Sequence, residues 1–277
     1  MVFWSTVATA FKLALETLDV FQLLFLATIM ACTVLLIPVA MAGSWRLLAH
    51  ELKRYPVRTL LTSALNPLVY YLVLFAAYDL LPAQVAQPVN YTWALMLVVL
   101  SIIFLGQRPT KFDLIACVVS YAGVFIIATQ GDFRFSDTNL VGMGLALIST
   151  IIWASYWILN IKDPRDQRVS MCANFLVAIP ITGIACFMFS SFQFEFYGAL
   201  AAAYVGVFEM GLAFLLWSKA LKLAENTSRI STMIFISPFL SLVLIHFILG
   251  EPIHLTTYAG LVVIVTGLLI QRIPVRA

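Results

Sequence analysis

Charge is what this 277-residue chain has least of. Asp, Glu, Lys and Arg make up 10% of it, 13 acids and 16 bases, where an ordinary soluble domain carries about 25%. A soluble globular enzyme is excluded, because a domain of this size needs a charged outer surface. Disorder is excluded too, since it requires low hydrophobicity. A net charge of +3 spread over the whole length makes no basic patch, so a water-soluble nucleic-acid binder is excluded and nucleic acid is not expected as a partner. Cys32, Cys117, Cys172 and Cys186 sit inside apolar runs, without metal-ligand spacing or a disulfide framework. They read as small buried apolar side chains. No Gly-rich phosphate loop is present, so ATP is not expected to drive the protein directly. Nor is there a Gly-x-Ser-x-Gly, a pair of histidines or a pair of intramembrane acids of the kind an enzyme would use. The expectation is no enzyme, no metal and no cofactor. The first apolar segment lacks a basic leader and a small-residue cleavage site, so a cleavable signal peptide is not expected.

What is abundant is apolar: 62% of the residues. The runs are long and continuous rather than alternating, which disfavours a transmembrane barrel and points to an all-α membrane protein. A helical span needs about 20 apolar residues. Candidate runs lie near 1–16, 21–43, 59–79, 84–105, 113–130, 140–160, 170–190, 197–218, 230–249 and 256–272. Ten spans leave only short loops, so residues 1–277 read as a single transmembrane domain. Assigning alternate loops to two sides puts fourteen Lys and Arg on one side, from Arg46 to Arg276, and only Arg134 on the other. Basic loops stay in the cytoplasm, which places both termini inside. The expected location is the bacterial inner membrane, as a multi-pass protein with the lipid bilayer as its surroundings.

Sliding residues 68–127 over 212–271 superposes Ala76 on Ala220, Gly106 on Gly250 and Gly123 on Gly267. Leu105-Gly106-Gln107-Arg108-Pro109 then lies over Leu249-Gly250-Glu251-Pro252. Trp4 also matches Trp153, at an offset of 149 rather than 144, each with a basic residue in its half, Lys12 and Lys162. The chain therefore divides into five-helix repeats over 1–130 and 140–277. Five is odd, so the second repeat is inverted relative to the first. Inverted repeats rocking about a midplane site are a transporter signature. Eleven span residues precede Trp153 but only three precede Trp4, so the first helix reads as short by about eight residues, roughly 12 Å, and its start is expected upstream.

Several stretches resemble the drug/metabolite transporter superfamily, in its ten-helix EamA-type branch. Trp4-Ser5-Thr6 with Lys12-Leu13-Ala14-Leu15-Glu16 is similar to that family's first helix, and the Gly106-Gln107 and Gly250-Glu251-Pro252 turns to the ends of its fourth and ninth. Tyr121-Ala122-Gly123-Val124 and Tyr258-Ala259-Gly260-Leu261 are similar to its fifth and tenth, and Phe214-Leu215-Leu216-Trp217-Ser218-Lys219-Ala220-Leu221 to its eighth. The resemblance implies a permease for a small-molecule substrate, often acting in efflux. It does not name the substrate, and monomer or homodimer is left open.

Glu209 is the one acid in mid-span, in Val207-Phe208-Glu209-Met210-Gly211. An acid in hydrocarbon is costly and ordinarily faces a cavity or a partner. It can carry a proton through a transport cycle, balance an amine on the substrate, or remain a protonated structural carboxyl. Lys12 could pair with a substrate carboxylate or with Glu16, or snorkel to the interface. Asn66-Pro67 interrupts the third span, and its repeat position puts Leu65 opposite Glu209, which suggests that Asn66 and Glu209 share a central cavity. Gln87-Pro88 and Ser237-Pro238 mark further helix breaks at Pro88 and Pro238. Trp4, Tyr70, Tyr71, Asn90, Tyr91, Trp93, Trp153, Tyr156 and Trp157 form a polar-aromatic set away from the interfaces, and of these Trp4, Tyr91, Trp153 and Tyr156 above all are expected to line the cavity, because their polar handles need partners in mid-span. The lone His246 reads as structural. A secondary transporter exporting a metabolite fits this pattern best, with a flippase for a lipid-linked substrate or an importer as alternatives.

Overall fold

The computed structural model describes residues 2–106, 111–129, 139–217 and 236–270. All secondary structure among them is helical. In chain order the helices are α1 (Val2–Leu15), α2 (Val20–Met41), α3 (Trp45–Arg54), α4 (Pro56–Leu80), α5 (Ala83–Asn90), α6 (Trp93–Leu105), α7 (Lys111–Thr129), α8 (Leu140–Ile161), α9 (Gln167–Phe189), α10 (Phe196–Trp217), α11 (Ile236–Leu249) and α12 (Leu255–Ile270). Of these, α2, α4, α8, α9 and α10 are long and apolar enough to cross a membrane, and α1, α11 and α12 are shorter apolar helices. The apolar runs of the sequence thus become helices, because backbone N–H and C=O groups in lipid have to be satisfied within the segment. The basic loops around Arg108 and Lys219 to Arg229, the Arg134 loop, Arg272 and Arg276 lie outside the described residues, as does the side chain of Cys117. Cys32, Cys172 and Cys186 are buried free thiols.

Two elements differ from the sequence expectation. The basic stretch after α2 is not a loop but the amphipathic helix α3, which buries Leu48 and Glu51 and ends in Lys53 and Arg54. Its polar composition hides it from a search for apolar runs. The fourth run is divided at Tyr91 and Thr92 into α5 and α6.

Several acids are helix caps. Asp19 forms a reciprocal capping box with Gln22 at the start of α2, and Glu195 accepts from the Gly198 N–H at the start of α10. Glu251 accepts from the N–H groups of Ala83 and Gln84 at 3.0 and 3.3 Å, capping α5 from across the molecule. Carboxylates there satisfy orphan N–H donors and complement the helix dipole.

The packing is reciprocal between the halves. Helix α1 packs on α10 and α11, and α8 packs on α4 and α6; α2 packs on α9 and α10, and α9 on α2 and α4. Two seams join like with like: α2 with α9, and α7 with α12. In the α7–α12 seam Gly123 meets Gly260, the Ser120 hydroxyl donates to the Ile264 carbonyl at 3.1 Å, and Gly267 meets Ala116. Contacts ascend one helix as they descend the other, so the pair is antiparallel. Ser120 and Ile264 are 144 residues apart, the spacing that also relates Gly123 to Gly267 and Ala116 to Gly260. The seam therefore maps onto itself under exchange of the halves. A Cβ on Gly123 would stand 2.6 Å from the Gly260 carbonyl oxygen, so only glycine admits this approach. Gly106 and Gly250, paired by the same spacing, end α6 and α11 with φ of 67° and 68°, a conformation glycine adopts without steric cost.

Candidate functional site

Two of the long spans, α4 and α10, are interrupted. In α4 the break is at Asn66, with φ −146° and ψ 121°, followed by Pro67, which has no N–H to give. In α10 residues Val205–Ala213 widen into π-helical turns, a form that recurs at functional sites. Glu209 lies within these turns and is 8% exposed. The Tyr71 hydroxyl, one turn beyond the α4 break, donates to Glu209 Oε1 at 3.1 Å. Trp4 of α1 is the next polar neighbour of the carboxyl, and Oε2 is left without a hydrogen-bond partner.

Glu209 opens onto a narrow cavity of about 60 Å³ whose walls include Trp4, Tyr70, Tyr91, Trp93, Trp153, Trp157 and Trp217, with Gln87 and Asn90 supplying amides. Trp153 organises one wall. It stacks on Tyr70 with centroids 4.5 Å apart and on Tyr156 at 5.5 Å, and meets Trp157 edge-on at 5.9 Å. Trp4 meets Trp217 edge-on at 5.3 Å. Such offset and edge contacts hold aromatic walls firmly. The Asn90 amide donates to the Ser149 hydroxyl at 2.9 Å, Tyr91 is hydrogen-bonded to Ser237, and Gln87 Oε1 has no hydrogen-bond partner.

Trp157 and Trp217 also face a smaller pocket on the far side, together with Tyr156, Asn160 and Gln167. The aromatic rings therefore form a partition between two compartments. Beyond the smaller pocket lies a cluster of charge where α8 turns into α9. The Arg165 side chain, 1% exposed, pairs with Asp163 at 2.7 Å and with Glu51 at 3.8 Å. It also donates to the Thr59 hydroxyl at 2.8 Å. Arg58 reaches Asp163 at 3.3 Å and donates to the Lys162 carbonyl at 2.9 Å. Burial pushes the Asp163 carboxyl up, but hydrogen bonds from Arg165 and the charges of Arg165 and Arg58 outweigh it and hold the group below its ordinary value. These contacts tie α3 and α4 to the α8–α9 turn.

At the opposite end the Lys12 ammonium donates to the Tyr78 carbonyl at 2.6 Å. It faces a vestibule of about 200 Å³ with Glu16, Asp79 and Glu251.

Glu209, Trp4, Tyr91 and Trp153 are thus brought together in one cavity. Tyr156 lies behind Trp153 in the smaller pocket, and Lys12 lies in the vestibule. Asn66 does not share the cavity with Glu209. It is fully buried, with Tyr156 as its polar neighbour, while Tyr71, beyond the break, is the residue of α4 that bonds Glu209 of α10. Pro67 stands at a true break. Pro88 lies inside α5 two residues before that helix ends. Pro238 lies within α11, and its side chain is outside the described set. His246 is exposed, with Nδ1 3.0 Å from the Glu251 carbonyl oxygen, and lines none of these pockets. Trp217 is a cavity residue that the sequence reading did not select; Tyr71, Gln87 and Trp157 it named without ranking them with Trp4, Tyr91, Trp153 and Tyr156. Their signal is position: Tyr71 follows the Asn66-Pro67 break, and Trp157 follows Trp153 by four residues.

Apolar spans that break around a buried carboxylate in an aromatic cavity define a multi-pass integral membrane protein of the transporter class. The chain belongs to the EamA-like transporter family, which matches it twice, over residues 1–129 and 140–272. An uncharacterized transporter of Acidianus ambivalens is 27% identical over 205 residues, covering 72% of this chain and 78% of the relative. The uncharacterized transporter YvbV of Bacillus subtilis is 25% identical over 218 residues, 76% of this chain and 69% of the relative. The aromatic amino acid exporter YddG of Ancylobacter novellus is 25% identical over 182 residues, 64% of this chain and 62% of the relative. A protein of known crystal structure superposes over 98% of this chain and 94% of its own with a TM-score of 0.72 at 19% identity, which shows a shared fold.

Proposed function

We propose that this protein is a secondary transporter that exports a small amphipathic metabolite, an amino acid or a solute like it, across the bacterial inner membrane by alternating access. Its ten spans form two inverted five-helix halves with both termini in the cytoplasm, and Glu209 carries a proton through the cycle. The observation that carries the reading is the buried Glu209 carboxyl, one oxygen free, inside the cavity where a broken span of each half meets the other. The antiparallel, self-mapping α7–α12 seam supports the inverted arrangement. At about 60 Å³ the cavity is smaller than sites that enclose small ligands, about 300–1,000 Å³, so loading requires its walls to part. The kinship with an aromatic amino acid exporter and the ring-rich walls favour export of an amphipathic solute.

A flippase has one feature in its favour, an apolar lateral groove of about 530 Å³ between α1, α10 and α11. The ionisable side chains lining that groove are Glu16, Tyr197 and Tyr204, with no base among the described residues, which suits a lipid tail but not an anionic headgroup. The deciding experiment compares small molecules in the medium of cells expressing the unaltered protein, Glu209→Gln, or neither. Accumulation of one metabolite class with the unaltered protein alone supports proton-linked export. Equal export by Glu209→Gln removes the proton role, and depletion of a solute from the medium reverses the direction.

A further inference from the structure

The cavity's chemistry is one-sided. Glu209 is its only charged side chain among the described residues, and no Lys, Arg or His lines it. Lys12 is committed to the Tyr78 carbonyl and belongs to the vestibule. Two buried oxygens of cavity-lining residues, Glu209 Oε2 and Gln87 Oε1, have no hydrogen-bond partner. Gln87 Oε1 is an acceptor, and so is Glu209 Oε2 in the ionised state of the cycle. A buried acceptor left unpaired is costly, and a ligand bearing N–H donors satisfies it. Around them stand the rings of Trp4, Trp153, Trp217 and Tyr70, and the face of an aromatic ring attracts a cation.

We infer that the substrate group this cavity recognises is a protonated or quaternary nitrogen on an aromatic or aliphatic frame, seated against Glu209 between the tryptophan rings, and that the site discriminates against a free carboxylate. The inference rests on the transporter reading above but, among amphipathic solutes, puts organic cations without a free carboxylate in place of amino acids. A carboxylate in the same place would face Glu209 in low-dielectric space with no counter-ion among the described lining residues, and like charges so placed repel strongly. An ammonium meets the opposite situation: its charge is balanced once, by Glu209, and its N–H groups reach the two free acceptors. Tyr71 holds the carboxylate in position by bonding Oε1, which leaves Oε2 to the ligand.

The test uses four probes with the same ring and different charge: 2-phenylethylamine, phenylethyltrimethylammonium, phenylalanine and 3-phenylpropionate. Binding to the purified full-length protein in lipid nanodiscs is read from tryptophan fluorescence and isothermal titration. The expected order has both cations binding at least tenfold more tightly than phenylalanine and phenylpropionate binding weakest. Glu209→Gln should lose at least tenfold for the cations. Trp217→Ala should weaken phenylethyltrimethylammonium, which has no N–H to donate, more than it weakens 2-phenylethylamine. Equal or tighter binding of phenylalanine or phenylpropionate overturns the inference, as does cation binding unchanged in Glu209→Gln, or failure of all four to bind. The ligand series on the unaltered protein decides the matter if a variant does not fold. Export of a carboxylate-bearing solute by cells would overturn the cation inference while leaving the transporter reading intact. Absence of any exported solute would count against that reading itself.

Discussion

Removal of the Arg165 side chain should open the molecule at its basic end. Arg165 is buried between Asp163 and Glu51 and also donates to Thr59, so it links the α8–α9 turn to α3 and α4. In Arg165→Ala, Asp163 keeps the partly exposed Arg58, but Glu51, 6% exposed, is left buried with no cation. Breaking a buried pair from one side costs about 3–5 kcal/mol. If the halves separate at this end, water reaches both carboxylates, so the cost falls on the closed form alone. The closed-to-open ratio should then fall by roughly two to four powers of ten. Arg168 is the control. Its pair with Asp166 at 3.2 Å has side chains 57% and 31% exposed, and such surface pairs contribute about 0–1 kcal/mol. The assay places a cysteine at Asn160, which faces the smaller pocket behind the aromatic partition, in a background without other cysteines, and measures maleimide labelling from the basic side of sealed vesicles. Arg165→Ala should label at least ten times faster than the parent and Arg168→Ala at the parental rate. Glu51→Gln, which removes the stranded charge, should restore slow labelling to Arg165→Ala in part. Equal rates in Arg165→Ala and Arg168→Ala would refute the reasoning.

The remaining predictions are shorter. Gly123→Val should lower the melting temperature of the purified protein, because its Cβ would meet the Gly260 carbonyl oxygen at 2.6 Å and overpacking costs about 1–3 kcal/mol. Gly144→Ala meets nothing within 4 Å and should raise the melting temperature slightly, by about 0.5–1 kcal/mol of helix propensity. Tyr71→Phe removes the hydroxyl that bonds Glu209 and leaves a second carboxyl oxygen unpaired, a loss of about 1–3 kcal/mol visible in thermal unfolding; unchanged stability would show that the bond contributes nothing. The Asp163 carboxyl sits below its ordinary value of 3.8. A carboxyl lowered by folding contributes stability above that value and loses it as pH falls through the folded one. Closure of the basic end should therefore be level from pH 8 to pH 5 and weaken only below about pH 4, and Asn160→Cys labelling that accelerated near pH 6 would contradict this.

Much of the helical layout was legible because lipid imposes one rule on every apolar run. Glu209 was legible for the same reason: an acid among Val207, Phe208 and Met210 has no bland explanation as surface charge. The basic-end network was not. Arg58, Asp163 and Arg165 lie in loops and at helix starts, where positive-inside charge is expected anyway, so nothing in the sequence separates a buried Arg165 from an exposed Arg168. Helix α3 escaped for a related reason, since one apolar face on a ten-residue helix leaves no long run. The pairing of Asn66 with Glu209 failed because repeat spacing gives depth along a helix and not direction around it. Beyond the break at Asn66 it is Tyr71, and not Asn66, that bonds Glu209.

That failure separates what the repeat supplies from what the site requires. The seams α2–α9 and α7–α12 join corresponding helices, and the packing of α1 and α8 is reciprocal; in the proposed alternating access, interfaces related in this way would let one rigid-body movement close one end as it opens the other. Chemistry on a symmetric scaffold needs no symmetry. Position 209 carries a carboxylate where the first half has Leu65, and position 66 carries a break where the second half has wide helical turns. One charge at the centre can be balanced by one ligand or one proton. A second acid at Leu65 would add like charge to the same layer, where one carboxyl would be driven to hold a proton and stop cycling. Leu65→Glu is therefore expected to fold but to lose proton-linked export, whereas Leu65→Met, similar in volume and apolar, should export normally. Parental export by Leu65→Glu would show that the layer tolerates a second charge and that Glu209 does not act as its single titrating group.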